Sequence, residues 1–112
     1  MTDEDLVEAL KALAHPVRLR IMQALTRGER NVGEIDDAAE IGQPTLSQQL
    51  AVLRNAGLVE TRKQAKLVYY RIDDDKIAKI AGAVGELGGA SASPMRQARK
   101  TVPGVANFAK LG

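Results

Sequence analysis

Leucines recur at helical spacing in the middle of the chain. Leu46, Leu50 and Leu53 follow one another after four and three residues, which places them on one side of a helix and predicts a buried stripe. The residues expected to face outward are Thr45, Gln48, Gln49, Val52 and, near the helix end, Arg54. No acidic residue occurs from position 43 to position 58. Amide and hydroxyl groups can bond to base edges or phosphates without repelling DNA as carboxylates would, so this helix is a candidate for reading DNA.

Three further helices are predicted ahead of the leucine helix. The first covers residues 3–13, with acidic residues in its first turn, where the helix dipole favours them. Pro16 suits the first turn of a second helix, which ends near Gly28. Asn31 can cap a third helix, and Glu34 completes a capping pair. The apolar residues of the second helix are Leu19, Ile21, Met22 and Leu25, and Val32, Ile35 and Ala39 of the third are expected to face the core.

A β-hairpin and a fifth helix are predicted after the leucine helix, which opens at Gln43-Pro44 and can close at Gly57 in a left-handed conformation. Residues 58–63 and 67–72 are rich in β-branched and aromatic side chains, with residues 64–66 between them as the tip. Asp73 or Asp74 would cap a fifth helix that runs to about Leu87. The predicted fold class is mainly α with a two-stranded β-wing, in the order α-α-α-α-β-β-α.

The first and fifth helices each carry a narrow apolar stripe of the kind that packs between helices. We expect these two helices to pack together and against a second copy, which gives a homodimer that presents two reading helices to successive major grooves. A monomer that buries the stripe internally is the alternative. The predicted dimer interface comprises Leu6, Leu10, Leu13, Ile77, Ile80, Ala81, Val84 and Leu87.

Composition limits the compartment and the chemistry. Only 3% of the residues are aromatic, so the core is expected to be aliphatic, which favours helices. No apolar run approaches the ~20 residues that span a bilayer, and the N-terminus MTDEDLVEAL lacks a signal-peptide pattern, so we expect a cytoplasmic protein with no membrane partner. The absence of cysteine excludes disulfides and thiolate chemistry.

Positive charge is concentrated where the reading helix and the wing are predicted. Residues 43–72 contain five basic residues and one acidic residue, whereas residues 1–42 contain nine acidic and five basic residues. Such a basic block is expected of a protein that binds duplex DNA. A basic stretch that only solvates a surface is the alternative when charge is considered alone.

The composition changes near residue 88, which predicts two parts of the chain. Residues 1–88 would form one domain for DNA binding and dimerisation, and residues 89–112 a flexible basic tail. A disordered solubilising tail, a basic arm on DNA phosphates and a segment that docks Val105 and Phe108 on the dimer are all open for this tail.

Four segments in order resemble the ArsR-type family of bacterial winged-helix repressors: LAHPVRLRIMQAL, NVGEI, QPTLSQQLAVLRNAGLVETRK and YYRI. The resemblance covers residues 10–87, and GQPTLSQQL is most similar to the branch of biofilm-growth, sulfide-responsive and nodulation-type repressors. It implies a winged helix-turn-helix homodimer that represses at a double-stranded DNA operator, with an inducer that changes DNA binding. By the motif match, the residues that meet DNA are Gln43, Thr45, Ser47, Gln48 and Gln49, with Arg62, Lys63 and Lys66 at the wing.

The sensing motifs of that family are missing here. Metal-sensing members carry a CVC-type motif where this chain has Asn31-Val32-Gly33, and no histidine follows the aspartates at 73–75. We therefore expect no metal and no cofactor. The aspartates are expected to cap the last helix rather than hold a hard cation, and His15 is expected to be structural rather than a ligand or pH sensor. An organic inducer in an aliphatic pocket between the first and fifth helices, or no inducer at all, stays open.

Catalysis is not expected. The glycines at 82, 85, 88 and 89 do not follow a strand, there is no cysteine nucleophile, and His15 is not in a catalytic setting. The predicted function is a sequence-specific DNA-binding transcriptional regulator, a dimeric repressor of an inverted-repeat operator. A winged-helix module that binds protein, or a DNA-binding protein without an inducer, is the alternative.

Overall fold

A computed structural model describes residues 1–89 of the chain. The elements, in chain order, are α1 (Asp3–Leu13), α2 (Pro16–Leu25), β1 (Arg30–Asn31), α3 (Val32–Ala39), α4 (Thr45–Asn55), β2 (Val59–Gln64), β3 (Leu67–Ile72) and α5 (Asp74–Leu87). Met1–Ile80 form one compact unit, and α5 begins in it and ends beyond it. The predicted order of helices and wing strands is confirmed, with β1 as an addition. Residues 90–112, most of the predicted tail, lie outside the described residues.

The leucine stripe of α4 is the centre of the core. Leu46, Leu50 and Leu53 are 0%, 1% and 0% exposed, as predicted. Ile21 of α2 and Ile35 of α3 pack in the same cluster and are also fully buried. Because the stripe is enclosed, the rotation of α4 about its axis is fixed and its polar side must face outward.

The apolar residues of α2 differ in burial. Ile21, Met22 and Leu25 are buried, but Leu19 is 47% exposed. Two residues turn a helix by about 200°, so Leu19 lies nearly opposite Ile21.

Capping side chains define the helix ends at the predicted residues. The Asn31 side chain accepts a hydrogen bond from the Glu34 N–H, and the Glu34 carboxylate accepts one from the Asn31 N–H, both at 2.9 Å. His15 Nδ1 accepts from the Val17 N–H at 3.2 Å, which confirms its structural role at the start of α2. Asp73 Oδ1 accepts from a backbone N–H in the first turn of α5. Gly57, after α4, has the predicted left-handed conformation, with φ +75°.

Arginines complete the other helix ends. Arg20 and Arg30 each donate a hydrogen bond at 2.8 Å to a carbonyl in the last turn of a helix, α3 for Arg20 and α2 for Arg30. The last four carbonyls of a helix lack intrahelical partners, and basic side chains can satisfy them. These two cations therefore stabilise the fold.

The wing is a three-stranded antiparallel sheet in the order β1-β3-β2. Gln64 pairs with Leu67, so the turn is Ala65 and Lys66 rather than the three residues expected. The short strand β1, which the sequence did not predict, pairs Arg30 with Tyr70 and joins the wing to the start of α3. Within residues 1–89, no helix has the length and apolar content needed to cross a membrane.

Candidate nucleic-acid interface

Helices α3 and α4 form the helix-turn-helix, and α4 presents the outward surface that the sequence predicted. Thr45, Gln48, Val52 and Arg54 are exposed, and Gln49 is half-buried. The turn before α4 contains Gly42, whose φ is +83° and whose N–H donates to the Asp36 side chain at 2.8 Å. This turn fixes the position of the first turn of α4 relative to α3.

Gln43 and Ser47 are held together at the start of α4. Gln43 Oε1 accepts a hydrogen bond of 2.7 Å from the Ser47 hydroxyl and one of 3.3 Å from the Ser47 N–H. Both side chains are exposed. The Gln43 amide NH₂ is therefore the end of this pair that can donate outward.

Gln49 has a partner that sequence reasoning missed. Arg18 Nη1, from α2, donates a hydrogen bond of 2.7 Å to Gln49 Oε1. The side chain of Gln48, one residue earlier, makes no hydrogen bond to the other described residues. The two adjacent glutamines therefore differ in what they can offer to a ligand.

The wing carries two kinds of basic residue. Lys63 and Lys66 are exposed, and within residues 1–89 neither takes part in a salt bridge. Arg62 instead pairs with Glu29 at 2.6 Å, and its guanidinium carbon lies 4.8 Å from the ring centroid of Tyr69. The lysines are available to an outside anion, whereas Arg62 is occupied.

The Arg62–Glu29 pair also changes the titration of both groups. Hydrogen bonds from Arg62 lower the pKa of Glu29 from its ordinary range, and hydrogen bonds to Glu29 raise the pKa of Arg62. On the same hairpin, Arg71 pairs with Glu60 at 2.7 Å across the two strands. The formal charge of the wing is thus partly neutralised within the fold.

Comparison with known proteins decides the family. The profile of the "Bacterial regulatory protein, arsR family" matches residues 15–61. The biofilm growth-associated repressor of Xylella fastidiosa (strain Temecula1) is 46% identical over 91 residues, which cover 75% of this chain and 80% of that protein. The chain belongs to the ArsR family.

Other relatives agree with this assignment. The biofilm growth-associated repressor of Agrobacterium fabrum is 52% identical over 75 residues, 67% of this chain and 64% of that protein. The crystal structure of the transcriptional repressor BigR from Xylella fastidiosa has a TM-score of 0.61 at 45% identity and covers 78% of this chain and 96% of that one. NolR from Sinorhizobium fredii has a TM-score of 0.63 at 39% identity, with 78% and 87% covered.

These relatives confirm the winged helix-turn-helix fold and the assignment as a DNA-binding transcriptional regulator. Three of the four are named repressors, and this ArsR-family chain lacks cysteine. Within the described residues, no three His, Cys, Asp or Glu side chains are grouped as a metal site would need.

The residues predicted for the dimer interface differ in exposure. In α1, Leu6 and Leu13 are half-buried against the core, and Leu10 is 38% exposed. Val7 of α1, which was not among the predicted interface residues, is 48% exposed.

On α5, Ile77 is half-buried and Ile80 is 5% exposed, so both pack in the core of their own chain. Ala81 is exposed, Val84 is 42% exposed and Leu87 is 84% exposed. The C-terminal half of this ArsR-family helix therefore presents apolar side chains that the residues described do not cover.

An open cleft of about 420 Å³ lies between α1, α2 and α4. Its lining includes the charged Lys11 and Arg18 together with Val52 and Asn55 of α4. This cleft mixes polar and apolar groups and lies in a different place from the aliphatic pocket between α1 and α5 that the sequence left open.

Proposed function

We propose that this chain is a repressor that binds an inverted-repeat DNA operator as a homodimer, by binding alone and without catalysing a reaction. The outward face of α4 carries the proposal, because it is polar, lacks acidic residues and stands beside a wing with exposed Lys63 and Lys66. Because bacterial DNA is in the cytoplasm, we place its action there. Residues 1–88 supply both DNA binding and dimerisation in this proposal.

In this proposal, residues in the first half of α4 read the bases. Thr45, Gln48 and Gln49 face outward along one side of the helix, at the height of base edges if the helix lies in a major groove. Gln48 can present both its amide oxygen and its NH₂, the pattern that pairs with adenine and discriminates by ~1–3 kcal/mol.

Phosphate contacts fall to the periphery. Gln43 and Ser47 lie at the start of α4, Arg54 is exposed near its end, and Lys63 and Lys66 lie at the wing. Such contacts fix the register of the protein on the duplex and carry no sequence information. They are the source of the salt dependence of binding.

A second copy would cover the apolar side chains of α1 and of the C-terminal half of α5. Val7 and Leu10 on the first helix, and Val84 and Leu87 on the last, are apolar and exposed. Leu87→Glu should shift the protein from dimer to monomer in sedimentation-equilibrium measurements. Leu67→Glu, at a wing residue that is 48% exposed, is the matched control and should leave the dimer intact.

Regulation would act on the spacing of the two reading helices. A ligand that binds one arrangement of the dimer more tightly shifts the population toward it. An organic inducer fits this scheme without thiolates, and a protein without an inducer would be controlled by its abundance. A thermal-shift screen of metals and small organic compounds, followed by operator-binding measurements, separates these two cases.

The decisive experiment is a mobility-shift assay with duplex DNA at two salt concentrations. The wild-type protein should bind, and should weaken steeply as salt rises. Gln48→Ala should lose preference for the operator over random duplex more than it loses affinity, and Lys66→Ala should do the reverse. A protein that is monomeric and does not bind duplex at low salt would refute the proposed function.

A further inference from the structure

The amide of Gln49 has a fixed orientation. A guanidinium has five N–H donors and no acceptor, so the Gln49 atom that meets Arg18 Nη1 at 2.7 Å has to be its oxygen. The NH₂ group of the same amide then points away from Arg18.

Arg18 is itself held in place by α1. Its Nε donates to the Ala12 carbonyl at 2.6 Å, and its Nη2 lies 3.4 Å from the Lys11 carbonyl. Both carbonyls belong to the last turn of α1, where intrahelical partners are missing. The guanidinium that Gln49 meets is therefore held in place by a neighbouring helix, and it offers the Gln49 amide only donors.

The bases offer different partners to a group that only donates. In the major groove, guanine presents two neighbouring acceptors, N7 and O6, and thymine presents O4. Adenine places the N6 donor next to its N7 acceptor, so its paired contact with glutamine requires the amide oxygen to accept from N6. The second lone pair of Gln49 Oε1 lies beside a positive guanidinium, which disfavours the approach of another N–H group.

We propose that Arg18 is a positioning residue for specificity, which makes Gln49 a donor toward DNA so that it selects guanine, or thymine second, instead of adenine. This inference rests on the proposed function and assigns different preferences to two adjacent residues. Gln48, whose side chain makes no hydrogen bond to the described residues, keeps both ends of its amide for a base.

The test is selection of bound duplexes from a randomised library, because it reads base preference at every position without a chosen operator sequence. The position read by Gln49 is the one whose preference Gln49→Ala abolishes. In the wild type we expect guanine or thymine there. Arg18→Met keeps a long side chain but removes every donor, and should reduce that preference by about fivefold or more, the lower limit for a good paired contact, with adenine gaining.

Arg20→Met is the matched control. Arg20 lies on the same helix and donates to the carbonyls of Ala39 and Glu40 at the end of α3, but it makes no hydrogen bond to Gln49. It should lower thermal stability and leave the selected motif unchanged. If Arg18→Met also lowers stability and leaves the motif unchanged, Arg18 only caps α1 and the inference is overturned.

Gln49→Glu keeps the test decisive if Arg18→Met does not fold. One carboxylate oxygen would accept from Arg18 and the other would face DNA as an acceptor, so the preference should change to cytosine, whose N4 group donates. An unchanged preference overturns the inference, as does adenine at this position in the wild-type motif. A wild-type protein that enriches no sequence would instead refute the proposed function itself.

Discussion

Removing one wing lysine should make DNA binding measurably less sensitive to salt. Lys63 and Lys66 are exposed and take part in no salt bridge within residues 1–89, so each can neutralise a phosphate without giving up a partner. Arg62 is close by in the same strand as Lys63, but it is bound to Glu29 at 2.6 Å. The prediction is that these cations are not equivalent, although their formal charges are the same.

The expected size follows from counterion release. Each phosphate neutralised contributes about 0.9 to the slope of log affinity against log salt. A homodimer has two wings, so Lys66→Ala would lower the slope by about 1.8. Over a fourfold rise in salt, this corresponds to about a 12-fold smaller loss of affinity. Arg62→Ala should change the slope less, because Glu29 already neutralises that guanidinium, whereas Glu29→Gln should release Arg62 and steepen the slope.

The assay is fluorescence anisotropy with a labelled duplex of random sequence, titrated at a series of salt concentrations. Lys79→Ala is the matched control, since it removes an exposed lysine from α5 rather than from the wing, and its slope should equal that of the wild type. Equal slope changes for Arg62→Ala and Lys66→Ala, with no change for Glu29→Gln, would refute the reasoning that the ion pair restrains Arg62.

Three further predictions concern the stability of the fold. Leu50→Ala should lower the free energy of unfolding by about 2–5 kcal/mol in urea denaturation, because Leu50 is 1% exposed. Leu19→Ala, at a site that is 47% exposed, should lower it by less than about 1 kcal/mol. Similar losses at the two sites would contradict the burial argument. Hydrogen bonds from Arg62 lower the pKa of Glu29, so the ionised carboxylate stabilises the fold at neutral pH. This stabilisation should be lost as the pH falls below the ordinary glutamate pKa and through the lowered pKa of Glu29. Thermal melts of Glu29→Gln should lack this part of the pH dependence, and a melting temperature that varies with pH as in the wild type would disprove the prediction. Gly57→Ala should destabilise the chain by about 1–2 kcal/mol because φ is +75° there. Gly82→Ala lies inside α5, where the added methyl would meet no described atom within 4 Å beyond its chain neighbours and the backbone of its own helix, and it should stabilise the chain by about 0.5–1 kcal/mol. The same sign for both changes in calorimetry would rule out the backbone explanation.

The parts of the fold that the sequence predicted are set by residues close together in the chain. The buried stripe of α4 follows from leucines within eight positions of sequence, and the Asn31–Glu34 cap from residues three apart. Helical period and capping chemistry are local, so one sequence is enough to locate them. The outward direction of Gln48 follows in turn from the burial of the stripe.

The contacts that the sequence did not predict join residues that are far apart in the chain. Strand β1 has two residues, too few to show a period, and it pairs with β3 some 40 positions later. Arg18 and Gln49 are 31 positions apart, and Glu29 and Arg62 are 33 apart. Such pairs depend on how helices and strands pack, and nothing in the local pattern distinguishes an arginine that will find a partner from one that will not.

Whether a basic residue is paired within the fold decides how many of the positive charges between residues 43 and 72 are available to DNA. Arg71 is paired with Glu60 within the block, and Arg62 with Glu29 from outside it, which leaves Arg54, Lys63 and Lys66 without a salt bridge among the described residues. An arginine has a rigid planar group suited to two simultaneous hydrogen bonds, whereas a lysine is a flexible, strongly hydrated point charge. In the wing, Arg62 and Arg71 are therefore held within the fold by ion pairs, whereas Lys63 and Lys66 are exposed and take part in no salt bridge among the described residues. In the proposed function, the electrostatic attraction for DNA is accordingly smaller than the formal charge of residues 43–72 suggests, and we assign the discrimination between sequences to the uncharged side chains of α4.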